Sequence, residues 1–330
     1  MSASHDVVAI GNALVDVIAP AEEPFIREEG LAKGAMTLID EPRAQALYAA
    51  MAPGVESSGG SAGNTAVGAA SLGARAAYVG KVAADSLGET FAREARAVGV
   101  GFDVRPLSGG PATGRCLINV TPDGERTMCT YLGASVELTP ADVDPGLIEG
   151  AAVVYLEGYL FDPPEARRAF AKAAGLARAS GRTIALTLSD AFVVERHRKA
   201  LLQFIETEVD LLFANEVEIV SLFEAASFDE AAAAARGMTR IAALTRGAKG
   251  SVVLAAEGGC GIDATPVAKV IDTTGAGDQY AAGFMAGLAR ALPLKACAEL
   301  GSLAAAEVIS HYGPKPLTSL AALAAERGFL

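Results

Sequence analysis

The residues best suited to chemistry lie together in Asp272-Thr273-Thr274-Gly275-Ala276-Gly277-Asp278. The run that follows, QYAAGFMAGLARAL, reads as a long Ala-rich helix, so the Gly-Ala-Gly turn falls at a helix N terminus. Unpaired N–H groups point outward there, the helix dipole favours negative charge, and small residues let a phosphate approach the backbone. Gly275, Ala276 and Gly277 are the candidate anion hole. Asp278, in the first helical turn, is the candidate base for a hydroxyl that attacks a phosphoryl group. Taken alone, these residues also fit a tight turn with a helix-capping carboxylate.

A second glycine-rich turn, Gly59-Gly60-Ser61-Ala62-Gly63-Asn64, opens a helix predicted over 61–72. A Gly pair lets backbone come close to a ligand, and Asn64 brings both a donor and an acceptor. Asn12 and Asp16 follow the first predicted strand, and ligands of parallel sheets lie beyond the carboxyl ends of strands. Asp16 could accept two hydrogen bonds from a vicinal diol, as in a ribose or sugar; an ordinary turn carboxylate is the competing reading.

The elements that must position these groups alternate along the chain. Short apolar runs at 6–11, 76–80, 152–157, 183–188, 209–214 and 240–245 read as parallel strands buried on both faces. Helical segments at 61–72, 85–98, 164–180, 215–225 and 228–237 lie between them. The expected fold is α/β, a doubly wound, mostly parallel sheet with helices on both faces. Residues 13–40 hold short β-like pieces, and 102–134 reads as a hairpin about Pro122-Asp123-Gly124. These two stretches are expected to form a small β lid beside a large domain of residues 1–12, 41–101 and 135–330.

The 330 residues, 51% of them apolar, allow a large core. A formal charge of −12 argues against nucleic acid or an anionic membrane as partner. No apolar run reaches the ~20 residues that span a bilayer, and the N terminus lacks a signal peptide's pattern, so a cytoplasmic protein is expected. Cys116, Cys129, Cys260 and Cys297 are widely spaced and read as buried free thiols. The first strand is followed by GNALVD rather than G-x-G-x-x-G, no P-loop spacing occurs, and His5, His197 and His311 form no metal motif.

Residues 58–88, SGGSAGNTAVGAASLGARAAYVGKVAADSLG, and 272–284, DTTGAGDQYAAGF, resemble the two signatures of the ribokinase-like, or pfkB, family of carbohydrate and nucleoside kinases. Asn215-Glu216-Val217-Glu218 resembles that family's N-x-x-E element, and Thr245-Arg246-Gly247 with Lys249-Gly250 resembles its nucleotide-site turn. The resemblance spans nearly the whole chain. It implies ATP and Mg²⁺ as cofactors, with Asp278 as base and Gly275, Ala276 and Gly277 as anion hole. It implies that Asp16, Gly60 and Asn64 hold the substrate's hydroxyls and that Thr245 and Gly247 lie near the nucleotide. Asn215 and Glu218 would order Mg²⁺ and the phosphates, Glu218 through water. Similar kinases carry a monovalent-cation site, such as one for K⁺, around the loop headed by Asp272.

Within the family the chain is more similar to adenosine-kinase-like members, through Gly11-Asn12-Ala13-Leu14-Val15-Asp16 and the passage Arg126–Ser135. That places Asn12 and Asp16 against a nucleoside and Arg126 within reach of the transferred phosphate, a surface hairpin arginine being the alternative. The implied reaction is adenosine plus ATP to AMP plus ADP, with inosine, guanosine, ribose or fructose as alternative acceptors. A catalytically silent nucleoside or sugar sensor on the same fold is the non-enzymatic alternative. Phe25, Met36, Leu38, Leu132 and Tyr159 are by position candidate walls for a base, simple core being the competing reading for each. A monomer or a homodimer fits equally.

Overall fold

The computed structural model describes residues 3–256 and 258–329. In chain order its strands are β1 (His5–Ile10), β2 (Leu14–Pro20), β3 (Met36–Leu38), β4 (Val55–Gly59), β5 (Ala76–Val79), β6 (Gly114–Val120), β7 (Arg126–Tyr131), β8 (Ala151–Glu157), β9 (Thr183–Thr187), β10 (Leu211–Asn215), β11 (Ile241–Thr245), β12 (Ser251–Ala255) and β13 (Cys260–Ile262). Eight of them form one sheet in the order β13-β12-β11-β10-β9-β8-β1-β5. From β5 to β11 every pairing is parallel, and β12 and β13 add an antiparallel edge.

The alternation within β1 shows why the sheet is covered on both faces. Val7 and Ala9 enter one core with Ala62, Ala66, Tyr280 and Phe284. Val8 and Ile10 enter the other with Ala166, Phe170, Leu201 and Ile219. Successive strand residues point to opposite faces, so an unbroken apolar run needs helices on both sides. The helices Ser61–Ser71, Ser86–Ala97, Pro164–Ala179, Glu216–Phe223 and Phe228–Ala235 fall where the periodicity predicts them. The helix Ala191–Glu208 is an addition to that expectation.

The other five strands form a second, smaller sheet in the order β3-β7-β6-β2-β4. The hairpin β6–β7 turns at Gly124, whose φ is +85°. Three local expectations are corrected here. β4, which lies in the stretch 41–101 expected in the large domain, pairs antiparallel with β2 in this second sheet. Its sequence, VESSG, has no apolar alternation, and backbone pairing alone carries it. Glu23–Glu28 is a short helix inside the expected β-like region, opened by Pro24 in its first turn. Residues 102–113 form no strand, and single bridges from Gly101 to Ala77 and Leu107 to Ala83 lay this stretch along the β5 edge of the main sheet. Among the described residues no helix is long and apolar enough to cross a membrane. All four cysteines are free; Cys116, Cys129 and Cys297 are buried as expected, whereas Cys260, on the edge strand β13, is only partly so.

Candidate active site

The helix Ala276–Ala289 starts after Gly275, which adopts the left-handed conformation at φ +78°. A Cβ there would lie 2.7 Å from Pro314, so glycine answers both the angle and the approach. The Ala276 N–H is engaged by the Thr273 carbonyl at 3.2 Å. Among the described residues the amides of Gly275, Gly277 and Asp278 donate to no other group. The Asp278 side chain reaches across to the helix Ser61–Ser71 instead of capping its own. Ser61 Oγ donates to its Oδ1 at 2.7 Å and Asn64 Nδ2 to its Oδ2 at 3.2 Å. Burial pushes the carboxyl up to about 6, against these two donors.

The opposite wall is built from the ends of β1, β2 and β8. Asp16 is 8% exposed, and among the described residues its carboxylate makes no hydrogen bond or ion pair. Burial raises it to about 6, opposed by the charges of Lys315 and Arg126. Lys315 Nζ donates to Ser57 Oγ at 2.8 Å and Ser58 Oγ at 2.6 Å on neighbouring β4. Asn12 donates both its main-chain N–H (3.2 Å) and its side-chain Nδ2 (3.0 Å) to Glu157 Oε1. Gly60 has φ +85°, and a Cβ on it would meet the Asn12 carbonyl at 2.1 Å.

A cavity of about 530 Å³ opens between the main sheet and the small one, lined by Asn12, Asp16, Gly60, Asn64, Thr274 and Asp278 among others. Its walls include Met36, Leu38, Leu132 and Tyr159; Phe25 instead packs against the core. A smaller cavity, about 90 Å³, lies at the carboxyl ends of β9, β10 and β11 and is lined by Asn215, Glu218, Thr245 and Gly277. Ser61 and Asp278 line both cavities, so Asp278 stands at their junction. Gly247 lines neither; it starts the turn at Gly247–Lys249.

Asn215 and Glu218 form a reciprocal capping box. Asn215 Oδ1 accepts from Glu218 N at 2.9 Å, while the Glu218 carboxylate accepts from Asn215 N (2.9 Å) and Nδ2 (2.7 Å). Burial pushes Glu218 up to about 7. Among the described residues no cluster of three His, Cys, Asp or Glu side chains is placed to hold a metal. Two carboxylates, Glu218 and Asp278, line the smaller cavity, too few for an all-protein cage and suited to a hydrated Mg²⁺ carried mainly by phosphates and water.

Arg126 ties the small sheet to the anion turn. Its guanidinium lies 2.7 Å from Asp272 Oδ2, donates to Thr274 Oγ1 at 3.2 Å and sits over the Tyr312 ring. Nη2 is the atom of that ion pair, and Nε is left without a hydrogen-bond partner. Asp272 accepts in addition from Thr274 N, Thr274 Oγ1 and Gly313 N.

Three site residues escape sequence reasoning. Glu157 is 1% exposed at the end of β8, and burial raises it to about 7. Ser61 is hidden inside the second glycine-rich turn. Phe192 is 69% exposed, lines the larger cavity and begins the helix that the periodicity does not predict.

A family model of pfkB family carbohydrate kinases matches residues 4–319. An adenosine kinase from Sinorhizobium meliloti is 50% identical, with 98% of this chain and all of that one aligned at a TM-score of 0.92. A probable sugar kinase protein from Rhizobium etli is 44% identical over 99% of this chain and all of its own, with a TM-score of 0.93. Adenosine kinase of Saccharomyces cerevisiae is 29% identical, covering 93% of this chain and 96% of the relative.

Proposed function

The chain belongs to the pfkB family of carbohydrate kinases, which makes it an ATP-dependent kinase acting on a hydroxyl, and we propose that its acceptor is adenosine and its base Asp278. The observation that carries this reading is the position of Asp278 at the junction of the two cavities. One cavity has room and apolar walls for a nucleoside. The other lies where phosphates meet free amides at a helix N terminus.

In this mechanism Asp16, Asn12 and Asn64 hold the ribose hydroxyls beside Asp278. The carboxylate takes the proton of the attacking hydroxyl as its oxygen bonds to the γ-phosphorus and the bond to ADP breaks. A base held at about 6 is ionised at neutral pH yet basic enough to accept a proton. The amides of Gly275 and Gly277 meet the charge on the transferred group. Arg126, with its Nε–H free, adds its charge from the small sheet. Asn215, Thr245 and Glu218 line the phosphate side. Bound Mg²⁺ would neutralise phosphate charge there, with Glu218 and its waters orienting it. The Asp272 carboxylate is engaged by Arg126, Thr274 and Gly313, so it offers no open oxygen to a K⁺ at this loop.

The test is ADP release with adenosine, inosine, guanosine, ribose and fructose. Highest kcat/KM with adenosine supports the proposal. The Rhizobium etli relative favours a second reading, a sugar acceptor, which a preference for ribose or fructose would establish. Saturable ligand binding with no ADP from any acceptor would overturn both and leave a sensor.

A further inference from the structure

The mechanism above assigns Glu157 no role, yet it is among the most tightly held carboxylates near the site. Oε1 takes the main-chain N–H and the side-chain amide of Asn12, and Oε2 takes Ala62 N at 2.8 Å. Gly11 makes room for it, since a Cβ there would lie 2.3 Å from Oε2. Three N–H groups already donate to the two Glu157 oxygens, so the carboxyl group serves Asn12 as an acceptor, the amide nitrogen of Asn12 faces Glu157 and the amide oxygen faces away. That oxygen, Oδ1, is buried without a partner on a residue that lines the larger cavity. Asn64 repeats the pattern: Nδ2 is engaged by Asp278, and Oδ1 is buried without a partner. With the Asp16 carboxylate beside them, this corner of the cavity holds three acceptor groups, and the only side-chain donors left on these residues are the second N–H of each amide.

We propose that Glu157 is a positioning residue that fixes the hydrogen-bond sense of the acceptor site. By holding Asn12 one way round it makes the corner read substrate hydroxyls as donors. The proposal rests on the reading that this cavity holds the hydroxylated acceptor. A fluorine in place of a hydroxyl is similar in size but cannot donate, and it would set its lone pairs against Asn12 Oδ1. Glu157→Gln keeps the size but offers one accepting oxygen to three N–H groups, so Asn12 is no longer held in one orientation.

The experiment compares kcat/KM for the best acceptor of the panel with its monofluoro analogues at the ring hydroxyls that do not react. Because both substrates meet the same preparation, the ratio is independent of the active fraction. The wild type is expected to reject at least one analogue by ~10²-fold or more, as sites built around a hydroxyl do. E157Q is expected to reject it by less than about tenfold, with the KM for ATP unchanged. An unchanged ratio in E157Q overturns the assignment. If E157Q does not fold, the wild type alone decides: analogues used as well as the parent overturn it, and strong rejection upholds the donor-reading corner. Absence of turnover with every acceptor overturns the functional reading and this assignment with it, whereas turnover with an unchanged ratio overturns only the latter.

Discussion

Asn64 and Asp278 are joined by one hydrogen bond, from Nδ2 to Oδ2 at 3.2 Å, that links the two glycine-rich turns across the cavity floor. The residues are 214 positions apart. With Ser61 on the other carboxylate oxygen, the bond leaves Asp278 oriented by the acceptor-side helix while its own helix supplies the free amides. Base and anion site are thus positioned by different elements, and each can be perturbed separately.

Activity and stability should respond to pH with opposite signs. Burial raises Asp16 and Asp278 to about 6, and Glu157 and Glu218 to about 7. Between the unfolded carboxyl values and these raised ones, the folded chain binds more protons than the unfolded chain. The stabilising effect is present at low pH and is lost as pH rises through about 6 to 7. The lowered carboxyls, such as Asp6 and Asp162, stay ionised in both states through this window. Melting temperature should therefore rise from pH 7.5 to 5.5, while kcat/KM falls as Asp278 takes a proton. Parallel loss of both would contradict the account.

Gly59→Ala should disturb the acceptor without touching ATP. A Cβ there would lie 2.5 Å from the Asp16 carboxylate and must displace it. A 1 Å misplacement can cost ~10²-fold, so the acceptor's kcat/KM should fall by roughly that factor. The KM for ATP should hold, and steady-state kinetics with each substrate varied reads the difference.

Arg126→Met should weaken both the fold and phosphoryl transfer. The Arg126–Asp272 pair is 9% and 6% exposed, and losing one partner of such a pair costs ~3–5 kcal/mol. Denaturant unfolding measures that loss. In R126M/D272N the stability should largely return while kcat stays low, because the charge facing the phosphate is still missing. Recovery of kcat would leave Arg126 as a structural tie only.

Phe192→Ala should separate nucleosides from free sugars. Phe192 lines the larger cavity and is 69% exposed, so under the proposed function its ring is expected to meet the base of a nucleoside rather than a free sugar. The KM for adenosine should rise by about tenfold, as expected for loss of an aromatic contact, with ribose unaffected. Equal effects on both would remove Phe192 from base recognition.

What the sequence makes legible follows from where the signal resides. Both glycine-rich turns can be read because each needs small residues in one short segment, as do the strands buried on two faces. Glu157 cannot, because its partners Asn12 and Ala62 are 145 and 95 positions away and it merely ends an apolar strand. β4 is silent because pairing with β2, rather than alternation, makes it a strand. The spacing of Asn215 and Glu218 carries two meanings at once, a phosphate-side pair and a capping box, and only the geometry shows that the second is formed.

The most direct test of the account is Asp278→Asn. Asparagine keeps an oxygen for Ser61 but cannot take the proton of the attacking hydroxyl. ADP release should fall by at least ~10³-fold, within the range for loss of a general base, while calorimetry gives an acceptor Kd within about tenfold of the wild type. Turnover by that variant within tenfold of the wild type would contradict the account.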